Sequence, residues 1–202
     1  MLNVSARSAI IDLERLQWLC TDYQLPVAGY VVEGWFQTIH MPGMERFLKE
    51  QLKIAEGIHC IKLTDGSVLT TVMERKDKKW EIELQLVAKT AGQAADYYNL
   101  WQQFSDKYSP NHPIGVTVVT QLPEALDTDV SKKIMQELAE GLALESHAFI
   151  MEDGYQQLSG FTAQLRHKIE VNGIAINTSI TIVPETKHTY LYIASPMLYQ
   201  QI

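Results

Sequence analysis

Two histidines stand in the same local setting. His59 opens "HCIKLTDG" and His147 opens "HAFIMEDG", each followed six positions later by aspartate and then glycine, Asp65-Gly66 and Asp153-Gly154. A histidine with an aspartate in reach is the base-and-orienter pair of general acid–base catalysis. A cleft near His59 or His147 is therefore the catalytic alternative that the sequence offers. The competing reading is structural. Asp-Gly is a favoured tight hairpin turn, and each histidine then starts the strand before it. His40, His112, His167 and His188 form no His-x-x-x-His or His-Glu-x-x-His spacing, so a zinc helix is absent. There is no Gly-x-Ser-x-Gly elbow, phosphate-binding glycine loop or dinucleotide fingerprint. Asp127/Asp129 and Glu152/Asp153 read as a helix start and a turn. On this balance the chain is not expected to be an enzyme, and no catalytic, cofactor-binding or metal residue is assigned and no cofactor expected.

The other reactive types give equally little. Cys20 and Cys60 lie far apart without Cys-x-x-Cys spacing, which excludes a zinc ribbon or a thioredoxin motif; free thiols and a single bridge both stay open. Asn177-Thr178-Ser179 matches a glycosylation acceptor but falls within a strand pattern. Phe36, Phe149 and Phe161, like Tyr30, Trp35 and Tyr155, suit a core better than a wedge or an aromatic patch for a partner, and the scattered methionines read as core filler. The net charge is −7, with one basic cluster at Arg75, Lys76, Lys78 and Lys79. Duplex binding needs a concentrated positive face, so nucleic acid is disfavoured.

What must position these residues is an alternation of helices and strands. "WEIELQLVAKT" from Trp80 places Ile82, Leu84, Leu86 and Ala88 on one face and Glu81, Glu83 and Gln85 on the other, the period of a half-buried strand. Ile10, Leu13, Leu16, Leu19 and Cys20 recur at helical spacing, as do Phe47, Leu48, Leu52 and Ala55. Further helices are expected around Ala94–Tyr108 and Val130–Leu144, the latter capped by Asp127, Thr128 or Asp129. Strands are expected at "VAGYVVEGWFQTI", "IHCIKL", "SVLTTVMER", "IGVTVVTQL", "HAFIME", "YQQLSGFT", "IAINTSITIV" and "TYLYIAS".

The order helix–strand–helix–strand–strand–strand occurs twice. "PVAGYVV" from Pro26 and "PIGVTVV" from Pro113 lie 87 positions apart, and His59 and His147 lie 88 apart. "IELQLVAKT" matches "INTSITIVPET" at an offset of 94, so the second unit carries a longer hairpin loop around Glu170–Gly173. The expectation is an internal duplication, residues 1–91 and 92–202, forming one compact α+β unit. Helices would lie on one face of antiparallel sheet, with Leu13, Leu16, Phe47 and Leu52 covering Ile82, Leu84, Leu86 and Ala88. The extra strand "TYLYIAS" would pair with the first unit or leave an edge for strand addition.

With these elements in place, "GSVLTTVMERKDKKWEIELQLV", "LSGFT" and the ending "KHTYLYIASPML" resemble the YwmB family. The resemblance implies a TATA-box-binding-protein-like duplicated fold from spore-forming, Gram-positive-type bacteria (Firmicutes). It also implies an extracytoplasmic location, because such proteins begin with an export or anchor segment. "MLNVSARSAIIDLERLQWLC" has no such segment, so trimming or a cytoplasmic location are the two readings. No run reaches the length of a membrane helix. The resemblance carries no catalytic or binding residue over. The expected function is a binding or structural module that offers a sheet face or inter-repeat cleft to a protein or cell-envelope partner.

Overall fold

The computed structural model describes residues 4–38, 57–76, 79–108, 114–152 and 155–196. In chain order the elements are α1 (Val4–Asp22), β1 (Val27–Thr38), β2 (Gly57–Lys62), β3 (Val68–Lys76), β4 (Lys79–Ala88), α2 (Ala91–Tyr108) and β5 (Ile114–Leu122). Then come α3 (Thr128–Gly141), β6 (Ser146–Glu152), β7 (Tyr155–Phe161), β8 (Ile169–Val171), β9 (Ile174–Ile176), β10 (Thr178–Pro184) and β11 (Thr189–Ser195). Nine strands form one sheet in the order β2-β3-β4-β1-β5-β11-β10-β7-β6, and β8-β9 is a separate hairpin. Every neighbouring pair is antiparallel. The architecture is α+β, with three helices among the described residues.

Local chemistry sets the boundaries. Gly66 takes a positive φ of 85°, and the Asp65 carboxylate accepts from the Ser67 amide, closing the β2–β3 turn. Asn172 and Gly173 both have positive φ in the β8–β9 turn. Asp127 caps α3, its carboxylate accepting from Val130 N at 2.8 Å. Thr90 and Gln93 cap α2 reciprocally: the Gln93 amide oxygen accepts from Thr90 N, and the Thr90 hydroxyl accepts from Gln93 N.

One apolar row crosses seven strands: Ala88, Tyr30, Val118, Ile193, Ile180, Leu158 and Phe149 are successive register partners from β4 to β6. All but the edge residue Phe149 join a single core with Leu16, Leu19, Trp101, Phe104, Met135 and Leu138 from the helices. Burial of each such large side chain stabilises by about 1.5–3 kcal/mol. In β4, Ile82, Leu84, Leu86 and Ala88 are buried as the alternation predicts, and Glu81, Glu83, Gln85 and Val87 face away.

Three expectations need correction. First, β4 is covered chiefly by α2, not by Leu13 and Leu16. Helix α2 packs on β1, β4 and β5, while α1 packs on β5 and β11. Phe104 of α2 meets Phe36 of β1 edge-to-face at 5.0 Å. The expected covers Phe47 and Leu52 lie outside the described residues. Second, "TYLYIAS" neither pairs with a strand of the first unit nor forms an edge: β11 is interior, between β5 and β10. Among the described residues the edges are β2 and β6. Third, "IAINTSITIV" is two strands, β9 and β10, broken at Asn177, whose buried side chain turns back to the β7–β8 connection.

Candidate functional site

The most polar buried cluster is built around Asp12. It stands four residues before Leu16 and seven before Leu19, inside the apolar stripe of α1, and is 0% exposed. A carboxylate there demands donors, and four arrive from distant segments. Oδ1 accepts from Arg166 N at 2.9 Å. Oδ2 accepts from His167 N at 3.1 Å, meets His167 Nδ1 at 2.8 Å, and accepts from the Ser195 hydroxyl at 3.2 Å. The other ring nitrogen of His167 faces the Tyr98 hydroxyl of α2 at 3.4 Å.

Serine, histidine and aspartate together invite comparison with a nucleophilic triad, and the connectivity decides. In a triad the imidazole sits between serine and acid and takes the serine proton. Here the acid sits between the other two, and the serine hydroxyl donates to the carboxylate. The serine is also buried. The chemistry this arrangement supports is anchoring: it ties α1 and the end of β11 to the segment after β7.

A second cluster completes that anchor. The Asn177 side chain accepts from Thr162 N at 2.8 Å and donates to the carbonyls of Thr162 at 2.6 Å and Leu165 at 3.1 Å. The Thr162 hydroxyl donates to Leu142 O, and Arg15 donates to the Gln164 side chain. Asn177 is thus fully buried and occupied, closed to a glycosyltransferase in the folded chain.

The residues singled out by spacing do not converge. His59 lies on β2 opposite Thr71, and His147 on β6 opposite Gly160. These strands are the two edges of the sheet, eight spacings or roughly 38 Å apart along it. One cleft cannot use both. Asp153 and Gly154 lie outside the described residues. Cys20 and Cys60 are both free, the first buried and the second exposed, and burial pushes the Cys20 thiol up to about 12. Among the described residues no group of three or more histidine, cysteine or carboxylate side chains could hold a metal. No described helix is long and apolar enough to cross a membrane.

The sheet face opposite the helices divides in character. On its first half, Glu33 accepts from Gln85 at 2.9 Å, and Glu81 pairs with Lys76 at 2.7 Å. That pairing holds the Glu81 carboxyl below, and the Lys76 ammonium above, their ordinary ranges. The basic cluster is a hairpin tip: Arg75, Lys76 and Lys79 are exposed, and Lys78 lies outside the described residues. On the second half, the register row Val119, Tyr192, Thr181, Gln157 and Ile150 crosses β5, β11, β10, β7 and β6 without a charge. Tyr190 lies beside Tyr192 with ring centroids 6.1 Å apart. Burial, then Tyr190 and Glu185, raise the Tyr192 phenol above its usual value. Of the aromatics considered as wedges or patch, Phe36 and Tyr30 are core, Trp35, Tyr155 and Phe161 half-buried, and Phe149 exposed.

Spacing alone missed Asp12, His167 and Ser195. An acid within the apolar stripe of α1 was the available signal; its partners, 155 and 183 residues away, were not visible. No protein-family model matches the chain, and no curated protein matches it.

Proposed function

We propose that the chain is a non-catalytic binding module of the YwmB type, working outside the cytoplasmic membrane. The sheet face opposite the described helices takes a protein or cell-envelope component. The observation that carries this reading is the uncharged row Val119, Tyr192, Thr181, Gln157 and Ile150, extended by Tyr190 and Gln121. Amide, hydroxyl and aromatic side chains side by side suit a neutral partner, such as a glycan strand or an uncharged protein surface. They do not suit phosphate, and Glu33, Glu81 and Glu83 on the other half oppose it, so a nucleic-acid reading has little support. The serine-to-acid connectivity at Asp12 gives catalysis little support either.

Internal duplication belongs to the same proposal. Reading outward from the central β1/β5 pair, the order is β4-β3-β2 on one side and β11-β10-β7-β6 on the other. Removing β11 leaves strands in the matching sequence order, which supports two copies of one unit with β11 inserted in the second. The resemblance to the YwmB family and the extracytoplasmic location remain part of this reading.

The test uses the full chain and a variant with Tyr192→Ala and Gln157→Ala. Both are incubated with isolated peptidoglycan and with solubilised membrane protein from a spore-forming, Gram-positive bacterium. The wild type should be retained by one fraction, and the variant, with an unchanged melting temperature, should be lost from it. Retention of neither protein, or equal retention of both, refutes the reading.

A further inference from the structure

Strand β6 is an edge of the sheet, and its middle is apolar and open. Phe149 is 38% exposed, Ile150 41% and Met151 54%, with Ala148 exposed beside them. Lys132 of α3 lies 5.8 Å from the Phe149 ring centroid. Folded proteins protect such edges with lysine, proline or a covering element, because the open backbone pairs with any strand presented to it. Among residues 147–151 there is no charge and no proline.

We infer that β6 is the contact surface for a second copy of this chain, the two β6 strands pairing antiparallel about a two-fold axis. An uncharged edge is what self-pairing requires, since the strand meets itself and like charges would face one another. An axis perpendicular to the sheet keeps both helix layers on the same side. Centred on Ile150, it sets Ile150 against its own copy on the face opposite the described helices. Phe149 then lies against Met151 of the second molecule on the helix face, so the three exposed large apolar residues of the strand are paired at once. The apolar surface offered is a few hundred Å² per molecule, the size of a functional patch. It falls short of the roughly 800 Å² per partner of a stable interface, so the dimer is weak and concentration-dependent. Each chain carries −7, so long-range repulsion opposes it and added salt strengthens it.

Sedimentation equilibrium of the full chain across a wide concentration range, at low and high salt, tests the proposal. The wild type should shift from monomer toward dimer with concentration, more so at high salt. Ile150→Lys should stay monomeric with an unchanged melting temperature, while Cys60→Lys, at an exposed position of the opposite edge, should dimerise as the wild type does. In a Cys60→Ser background, Ile150→Cys should cross-link to covalent dimer under mild oxidation. A wild type that remains monomeric throughout overturns the proposal, as does a dimer that survives Ile150→Lys or is lost with Cys60→Lys.

Discussion

Replacing Asp12 by asparagine keeps the shape of the side chain and removes one acceptor oxygen and the charge. The carboxylate serves four donors: Arg166 N, His167 N, His167 Nδ1 and the Ser195 hydroxyl. Whichever way the amide turns, its NH₂ group confronts at least one of them. Hydrogen bonds to a charged group contribute about 1.5–3 kcal/mol each and do not add. Breaking a buried pair by removing one partner costs about 3–5 kcal/mol. His167 retains 22% exposure, so water recovers part of its loss, which puts the expected cost near the lower end of that range. For a chain of this size about 3 kcal/mol lowers the melting temperature by roughly 6–12 °C. Ser195→Ala removes a single long donor, at 3.2 Å, and leaves the charge satisfied by three others, so its cost should be at the lower end of the per-bond range, about 1.5 kcal/mol. Urea denaturation gives both values, and amide exchange adds a local reading, since the Arg166 and His167 amides should lose protection in Asp12→Asn. If Asp12→Asn costs no more than Ser195→Ala and leaves those amides protected, the cluster is not an anchor.

Two further predictions concern single side chains. Cys20 is buried with its thiol pushed up to about 12, whereas Cys60 is exposed, so a thiol reagent at neutral pH should titrate one group in the native chain and two after denaturation; mass spectrometry should place the native label on Cys60. Lys76 holds the Glu81 carboxyl low, a contribution present above the ordinary carboxylate range and lost as pH falls through the lowered value. Lys76→Met should raise the Glu81 titration midpoint, followed by carboxyl NMR, with little change in stability because the pair is at the surface.

Much of the secondary structure was legible because it is local. Period-two alternation and turn residues define β5 as 114–122 and β11 as 189–195, the same bounds the sequence suggests. The β4 faces follow from alternation, and the α3 cap lies among the three candidates Asp127, Thr128 and Asp129, of which the structure selects Asp127. What failed depends on contacts between distant segments. The sequence identifies β11 as a strand but not its neighbours, since Leu191 and Ile193 would be buried between any two strands. The break at Asn177 is invisible to β-periodicity, because its cause lies in Thr162 and Leu165. The helix that covers β4 was misassigned for the same reason: α1 and α2 both carry apolar stripes, and only chain geometry chooses between them.

That choice joins the two halves. Helix α1, which starts the first half, lies over β5 and β11 of the second, and α2, which starts the second, lies over β1 and β4 of the first. Helix α2 also rests on β5 of its own half, and Gln17 of α1 donates to the Tyr30 hydroxyl of β1, so both leading helices straddle the β1/β5 seam and the core forms across it. Gly34 shows how tightly that seam is fitted. It pairs with Leu84 on one side and Ile114 on the other, and a Cβ built there falls 2.5 Å from the Phe36 ring. Phe36 folds back over this gap while its ring meets Phe104 of α2. Any side chain at 34 would displace a fully buried aromatic from the contact that seats α2 on the first half. The absence of a side chain on β1 is therefore part of what holds a helix from beyond residue 90 in place, and a division of the chain near residue 91 cuts through packing, not between domains.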